Sequence, residues 1–166
     1  MFRRRLFGFA TLALLRPDAW ALPSPTGPVL LTVSGRLRQA GAAASFDMAM
    51  LERLPQAHIH THTPWYAQAR RFSGPLLREV IAAAGGQLLP GGTLRARALN
   101  DYAVEIPAND ALRYDIVLAR LMDDKPMPVR DKGPLFIVYP FDGHRELRNA
   151  VYYSRCAWQL KSIEVL

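Results

Sequence analysis

The sequence contains a single cysteine, Cys156, and no apolar run long enough to cross a bilayer. One thiol cannot form a disulfide within the chain, so the protein depends on its hydrophobic core for stability. We interpret Cys156 as a small buried side chain, with pairing to a second chain as the alternative. The longest apolar stretch, residues 6–15, is about half the length of a transmembrane helix of about 20 residues.

Several motifs of known chemistry are also missing. The chain has no Gly-x-Ser-x-Gly elbow, no His-Glu-x-x-His pair and no phosphate-binding glycine loop. Positions 22–166 hold 17 of the 21 basic and 13 of the 14 acidic residues, which leaves this part with a net charge of +4. Its basic residues are scattered and do not alternate with aromatic ones, so we expect no binding to nucleic acid.

Residues 1–21 have the pattern of a secretory signal peptide. Arginines at 3–5 precede the apolar stretch, and Ala19-Trp20-Ala21 matches a small-x-small cleavage site. We therefore expect a periplasmic protein that begins near Leu22, or one tethered to the inner membrane if the segment is not cleaved. Residues 4–7 also resemble a twin-arginine signal, so the general secretory and twin-arginine routes both stay open.

Residues 22–166 are half hydrophobic like the whole chain and long enough for one domain with a sizeable core. The first predicted strand stops at Gly35. A short helix is expected between a cap at Asp47 and Pro55, and a core-packed helix from a cap at Ser73 to Gly85. Further strands are predicted at 93–99, 102–106, 116–121, 135–139 and 157–165, the last with a bulge or bend near Lys161. The pattern predicts an α+β fold with mixed sheets and a few short helices.

Three of the four histidines alternate along "HIHTHT", residues 58–63. Strict alternation predicts a strand with Ile59, Thr61 and Thr63 facing inward and the histidines facing outward. Neighbouring histidines on such a face are about 7 Å apart at the backbone, so His58/His60 or His60/His62 form a candidate zinc pair, whereas the outer two are too far apart to share one ion. The prediction is no metal, with zinc at His58, His60 and His62 as an alternative.

Four segments together resemble a known family. They are "THTPWYAQARRFSGPLLREVIAAAGG" (61–86), "ALNDYAVEIP" (98–107), "RDKGPLFIVYP" (130–140) and "WQLKSIEVL" (158–166). In this order they resemble the sulfite-oxidase-type, molybdopterin-binding domain of oxidoreductases, in a small exported form, over roughly residues 29–165. The resemblance implies a sulfite-oxidase-like α+β fold.

The resemblance also implies a pocket in which molybdenum is bound by the pterin dithiolene and one cysteine thiolate. The matching position, counted back from Trp65, is about Thr61, and a neutral hydroxyl is a far weaker metal ligand than a thiolate. A second departure is the final segment, where the family's Gly- and Lys-rich, phosphate-binding stretch is replaced by "NAVYYSRCAWQLKSI" (149–163).

These departures lead to three hypotheses. The first is an exported small-molecule-binding or sensory accessory module with no catalytic molybdenum and no cofactor, whose protein partner is a membrane sensor or a redox protein. The second is a molybdopterin-dependent oxidoreductase in which water or hydroxide replaces the thiolate, with Thr61, Arg130 and Lys132 holding the cofactor. The third is the zinc-binding module.

The predicted ligand pocket follows from the first hypothesis. The strand at 61–65 would form one wall, and the loops "LNDY" and "RDKGP" would close over it around a small polar or anionic ligand. Within this set Arg130 is the expected anion contact, because a guanidinium binds oxyanions bidentately. The predicted site residues are Thr61, Thr63, Trp65, Asn100, Tyr102, Arg130 and Lys132.

Overall fold

The structure, a computed structural model, describes residues 22–39 and 41–166. The predicted signal peptide lies outside the described residues. The described part is α+β, as predicted, with most strands in the second half. Its elements in chain order are β1 (Leu31–Gly35), β2 (Ala44–Phe46), α1 (Met48–Arg53), β3 (Gln56–Thr63), β4 (Tyr66–Pro75), α2 (Leu77–Ala83), β5 (Thr93–Ala98), β6 (Ala103–Pro107), α3 (Ala108–Arg113), β7 (Val117–Ala119), β8 (Leu121–Met122), β9 (Lys125–Pro126), β10 (Phe136–Val138), α4 (Ala150–Arg155) and β11 (Leu160–Val165).

The largest sheet is a mixed one. Its strand order is β2-β1-β11-β5-β6, with β1 parallel to β11 and the other pairs antiparallel. The register of β11 against β5 shifts between Leu160 and Ser162, which confirms the predicted bulge near Lys161. The shift lets Leu160, Ile163 and Val165 all be buried although they do not share one alternation phase.

A second sheet has the order β3-β4-β8-β9 and is built on the β3–β4 hairpin. Along β3 the three histidines are exposed, while Thr61 and Thr63 are buried and Ile59 is partly buried. The predicted alternation of faces is therefore confirmed. The small β10–β7 sheet is buried along its whole length and forms part of the core. The fully buried large side chains of the core include Phe46, Phe72, Phe136, Tyr139 and Phe141.

The two predicted helices differ in outcome. Asp47 caps α1 as expected: one carboxylate oxygen accepts the Met50 N–H at 2.8 Å, and the other accepts the N–H groups of Thr26 and Gly27. The predicted Ser73 cap is wrong. Ser73 pairs with both neighbouring strands, which extends β4 to Pro75, and α2 begins only at Leu77 without a side-chain cap.

Gly85, where α2 was predicted to end, follows the helix with a φ of +81°, a left-handed conformation that glycine adopts without strain. Among the described ranges 22–39 and 41–166, no helix has the length and apolar character needed to span a membrane.

Candidate functional site

A cavity of about 420 Å³ opens beside the turn between β3 and β4. We call it the aromatic cavity. Separate parts of the chain form its walls: the β3–β4 turn, the β5–β6 loop, the end of α4 and the segment that follows α4. The lining residues are Pro64, Trp65, Asn100, Tyr102, Tyr153, Ser154, Cys156 and Trp158.

Trp65 is fixed by three perpendicular ring contacts. Its centroid lies 5.2 Å from that of Trp158, 5.6 Å from that of Phe136 and 6.3 Å from that of Tyr153. Edge-to-face pairs in this range are favourable beyond the burial of area. The indole is therefore a rigid wall, set in place by the core strand β10 through Phe136.

The β5–β6 loop supplies the polar side of the cavity. Asn100 Oδ1 accepts the Tyr102 N–H at 3.1 Å, and the Tyr102 hydroxyl donates to the Ser154 carbonyl at 3.0 Å. Asp101 between them has a φ of +65°, and its carboxylate accepts from Lys161 Nζ at 2.7 Å. The loop is thus tied both to β11 and to α4, and the amide of Asn100 is held at the cavity wall.

Cys156 also lines the aromatic cavity, although only 4 % of its surface is exposed. Burial raises the pKa of its thiol to about 12, and Sγ lies 3.5 Å from the Tyr152 carbonyl. The side chain is therefore a neutral, weakly polar part of the wall, because a protonated thiol is a poor nucleophile and a poor metal ligand. The interpretation of Cys156 as a small buried side chain is confirmed.

On the other side of Pro64 and Tyr153 lies a second opening of about 580 Å³, which we call the charged cleft. The two openings share these two residues. The remaining lining residues of the cleft are His62, Thr63, Phe141, Asp142 and Arg148.

Asp142 organises the charged cleft. Its Oδ2 accepts from the His62 backbone N–H at 3.0 Å and lies 2.8 Å from His62 Nδ1, while its Oδ1 accepts from Arg148 at 3.1 Å. Partial burial would raise the pKa of Asp142, but the hydrogen bonds from His62 and the charge of Arg148 outweigh it, so this pKa lies below its usual value. An ionised carboxylate only accepts, which places the proton of His62 on Nδ1.

Thr61, which the resemblance was expected to place at the molybdenum-ligand position, is 1 % exposed. Its hydroxyl accepts the Asp142 N–H at 3.0 Å and donates to the His62 carbonyl at 3.3 Å. Both roles of the hydroxyl are taken by backbone groups, so it does not fit the task of a thiolate ligand. Among residues 22–39 and 41–166, no lysine or arginine lines the aromatic cavity to receive a pterin phosphate.

The other predicted site residues fall into two groups. Trp65, Asn100 and Tyr102 come together at the aromatic cavity, and Thr63 lines the charged cleft. Lys132 lines neither opening, and its Nζ lies 4.8 Å from the ring centroid of Trp158, a lining residue of the aromatic cavity. Arg130 belongs to neither opening: its side chain is 86 % exposed and its Nε lies 3.7 Å from Asp131.

The three histidines of β3 do not form a metal cluster with other side chains. Within residues 22–39 and 41–166, no group of three or more His, Cys, Asp or Glu side chains could hold a metal ion. His62 instead uses Nδ1 for its contact with Asp142.

The sequence did not reveal four of the lining residues, namely Tyr153, Ser154, Asp142 and Arg148. These residues are about 80 or more positions away from the β3–β4 turn in the sequence, so only the fold brings them close to it.

Comparisons with known proteins support the fold alone. No family model matches the sequence, and no curated protein matches it. Among solved structures, the sulfane dehydrogenase SoxCD from Paracoccus pantotrophus is similar, with a TM-score of 0.58 and 15% identity over 81% of this chain. The chain spans 37% of that chain. The similarity supports a distant molybdopterin-binding-type fold, which is the coarser part of the resemblance read from the sequence.

Proposed function

We propose that this protein is an exported, sulfite-oxidase-fold module that binds a small molecule in the aromatic cavity and does not carry thiolate-bound molybdenum. The observation that carries the proposal is the cavity itself. Its volume of about 420 Å³ is within the range of about 300–1,000 Å³ typical of ligand sites, and such sites combine apolar walls with a few fixed polar groups. Trp65, Tyr153 and Trp158 supply the walls, and Asn100 supplies a fixed amide.

The state of Thr61 supports the part of the proposal that concerns molybdenum. A hydroxyl that is bonded to two backbone groups would have to give up both bonds and a proton to bind a metal. Cys156, the one thiol, is not at the position of Thr61, and it stays protonated near neutral pH. We therefore propose no cofactor for the protein.

Elemental analysis combined with a ligand screen tests this function. Protein purified from its native host is expected to contain no stoichiometric molybdenum or zinc. A thermal-shift screen of small apolar, polar and anionic compounds is expected to find a ligand whose stabilising effect decreases in Asn100→Ala. Arg130→Ala is the matched control, because its exposed side chain lies outside both openings.

Three outcomes would overturn the proposal. Stoichiometric molybdenum together with reduction of an electron acceptor would establish the oxidoreductase. Stoichiometric zinc that is lost on replacement of His60 would establish the zinc module. If every active compound stabilised the Asn100→Ala variant and the wild type equally, the ligand would bind outside the aromatic cavity.

Export is tested separately. N-terminal sequencing of protein from the periplasmic fraction is expected to give a start near Leu22, where the mature chain is predicted to begin. An intact N-terminus in the membrane fraction would indicate the tethered form, and recovery of the intact chain from the cytoplasm alone would overturn export.

A further inference from the structure

The charged cleft and the aromatic cavity adjoin each other at two shared residues. Both are lined by Pro64 and Tyr153, and the residues on either side of Pro64 belong to one opening each, Thr63 to the cleft and Trp65 to the cavity. A ligand with its apolar part against Trp65 would therefore have its other end close to the cleft. This adjacency makes the side chains of the cleft relevant to the ligand's polar end.

Two nitrogen atoms at the cleft have no hydrogen-bond partner in the part of the chain that the structure describes. Arg148 is anchored through Nε, which donates to the Phe141 carbonyl at 2.9 Å, and through the Nη that contacts Asp142. Its other Nη, and Nε2 of His62, make no hydrogen bond to the described residues. The anchoring contacts restrict both side chains in advance, which reduces the entropy cost of using them to bind a ligand.

Thr63 gives a second, independent indication. This residue is 8 % exposed and lines the cleft, and its hydroxyl has no hydrogen-bond partner within the described chain. Thr61, on the same face of β3, has its hydroxyl bonded on both sides. A buried hydroxyl without a partner costs free energy, so its retention needs a reason, and a polar ligand group is one.

The free groups select for one kind of ligand chemistry. A guanidinium N–H and a hydroxyl both donate, and an oxygen anion can accept from both at once. The negative charge of Asp142 is compensated by Arg148 and is directed toward His62.

We propose that the charged cleft is a second subsite, formed by Thr63 and Arg148, that binds the carboxylate of a small aromatic acid whose ring lies in the aromatic cavity. The inference rests on the proposed function and deepens it by naming the ligand class. Phosphate and sulfonate share the anionic oxygens, and we commit to a carboxylate because its two coplanar oxygens match the planar donors of a guanidinium.

The test uses three probes that separate the ring from the charge. Phenylacetate has both, phenylacetamide has the ring with a neutral group of the same shape, and acetate has the charge alone. Calorimetric titration of the wild-type protein is expected to give phenylacetate an affinity about ten- to a hundredfold higher than that of phenylacetamide, with acetate weakest.

Substitutions in the charged cleft test whether the preference for phenylacetate over phenylacetamide arises there. Arg148→Gln is expected to remove most of the preference for phenylacetate over phenylacetamide, because it weakens phenylacetate much more than phenylacetamide. Arg130→Gln is the matched control, since it makes the same chemical change at an exposed arginine outside both openings. Thr63→Val, which keeps the shape of the side chain, is expected to reduce the preference by a smaller factor and covers the case that Arg148→Gln does not fold.

The outcomes are distinguishable from failure of the proposed function. If phenylacetamide binds as tightly as phenylacetate, the aromatic cavity binds ligands and the second subsite is overturned. If Arg148→Gln and Thr63→Val weaken both phenyl compounds equally, the cleft acts through the fold and not through the carboxylate, which also overturns it. If neither phenyl compound binds while the broader screen finds a ligand at Asn100, the ligand class is wrong and the proposed function stands.

Discussion

The five-stranded sheet and the β3–β4 hairpin differ in whether they contain buried polar atoms without hydrogen-bond partners. In the five-stranded sheet the fully buried strand positions are apolar, such as Leu31, Ile106 and Ile163. The hairpin contains all the buried side-chain polar atoms that lack a hydrogen bond in the described ranges, namely Thr63 Oγ1, Tyr66 Oη, Ser73 Oγ and Arg70 Nε, although the last lies 2.9 Å from Asp123.

This difference suggests separate roles for the two regions, stability for the five-stranded sheet and ligand recognition for the hairpin. Native proteins leave few buried polar groups without partners, and those they keep are concentrated where a ligand, ion or water is bound. The buried positions of the five-stranded sheet therefore serve stability, and the hairpin holds the unpaired polar groups, including the Thr63 hydroxyl to which we assign binding. The four predictions below would sharpen this comparison or break it.

The largest effect is expected in the five-stranded sheet. Ile163 is fully buried on β11, so Ile163→Ala should lower the free energy of unfolding by about 2–5 kcal/mol through lost burial and a residual cavity. Ile59→Ala, at a partly buried position of β3, should cost clearly less. Urea denaturation measures both, and an equal loss would show that the hairpin contributes as much to the core as the sheet does.

The next effect is expected where the hairpin touches the core. A Cβ at Gly74 of β4 would meet the Leu118 carbonyl carbon at 2.9 Å and its oxygen at closer range. Gly74→Ala should therefore destabilise the fold by about 1–3 kcal/mol through overpacking. Gly143→Ala, whose nearest neighbour would be the Pro140 oxygen at 3.6 Å, is the control with little effect. Unchanged denaturation of Gly74→Ala would mean that β4 can move away from β7.

Thr61 and Thr63 allow a direct comparison within one strand. Thr61→Val removes a hydroxyl that accepts a hydrogen bond from the Asp142 N–H, so it should lower the free energy of unfolding by about 1–3 kcal/mol. Thr63→Val removes a hydroxyl without a partner, so stability should be unchanged or slightly higher. Thermal denaturation in the absence of ligand distinguishes the two, and a large loss in Thr63→Val would contradict the assignment of its hydroxyl to binding.

The smallest effect is the pH dependence contributed by Asp142. Its pKa is lower in the folded chain than the usual 3.8, so its contribution to stability is complete above that value and is lost as the pH falls through the folded pKa. Removing the hydrogen bond with His62→Gln should bring the folded pKa closer to the usual value and flatten the acid loss. Denaturation curves between neutral and strongly acidic pH measure this, and an unchanged acid limb in His62→Gln would show that the backbone N–H of residue 62 and the charge of Arg148 set the pKa.

Local patterns in the sequence were sufficient where one segment decides its own structure. The alternation in "HIHTHT" placed the histidines outside and Thr61 and Thr63 inside, and Asp47 caps α1 as expected. The change of phase in the last strand located the bulge near Lys161. The error at Ser73 has a nonlocal cause, because the pairing of that residue with β3 and β8 outweighs its preference for a helix cap.

The sequence by itself determined the α+β class and the strand faces, because these depend on residue type and on periods of two to four residues. Only the tertiary structure decided which side chains meet. Trp65 meets Trp158, and His62 meets Asp142 across 80 positions, because the order of strands in the sheets brings these loops to one end of the hairpin. Arg130 and Arg148 show the limit most clearly: both are arginines in loops, and only the fold places Arg148 at a cleft and Arg130 in solvent.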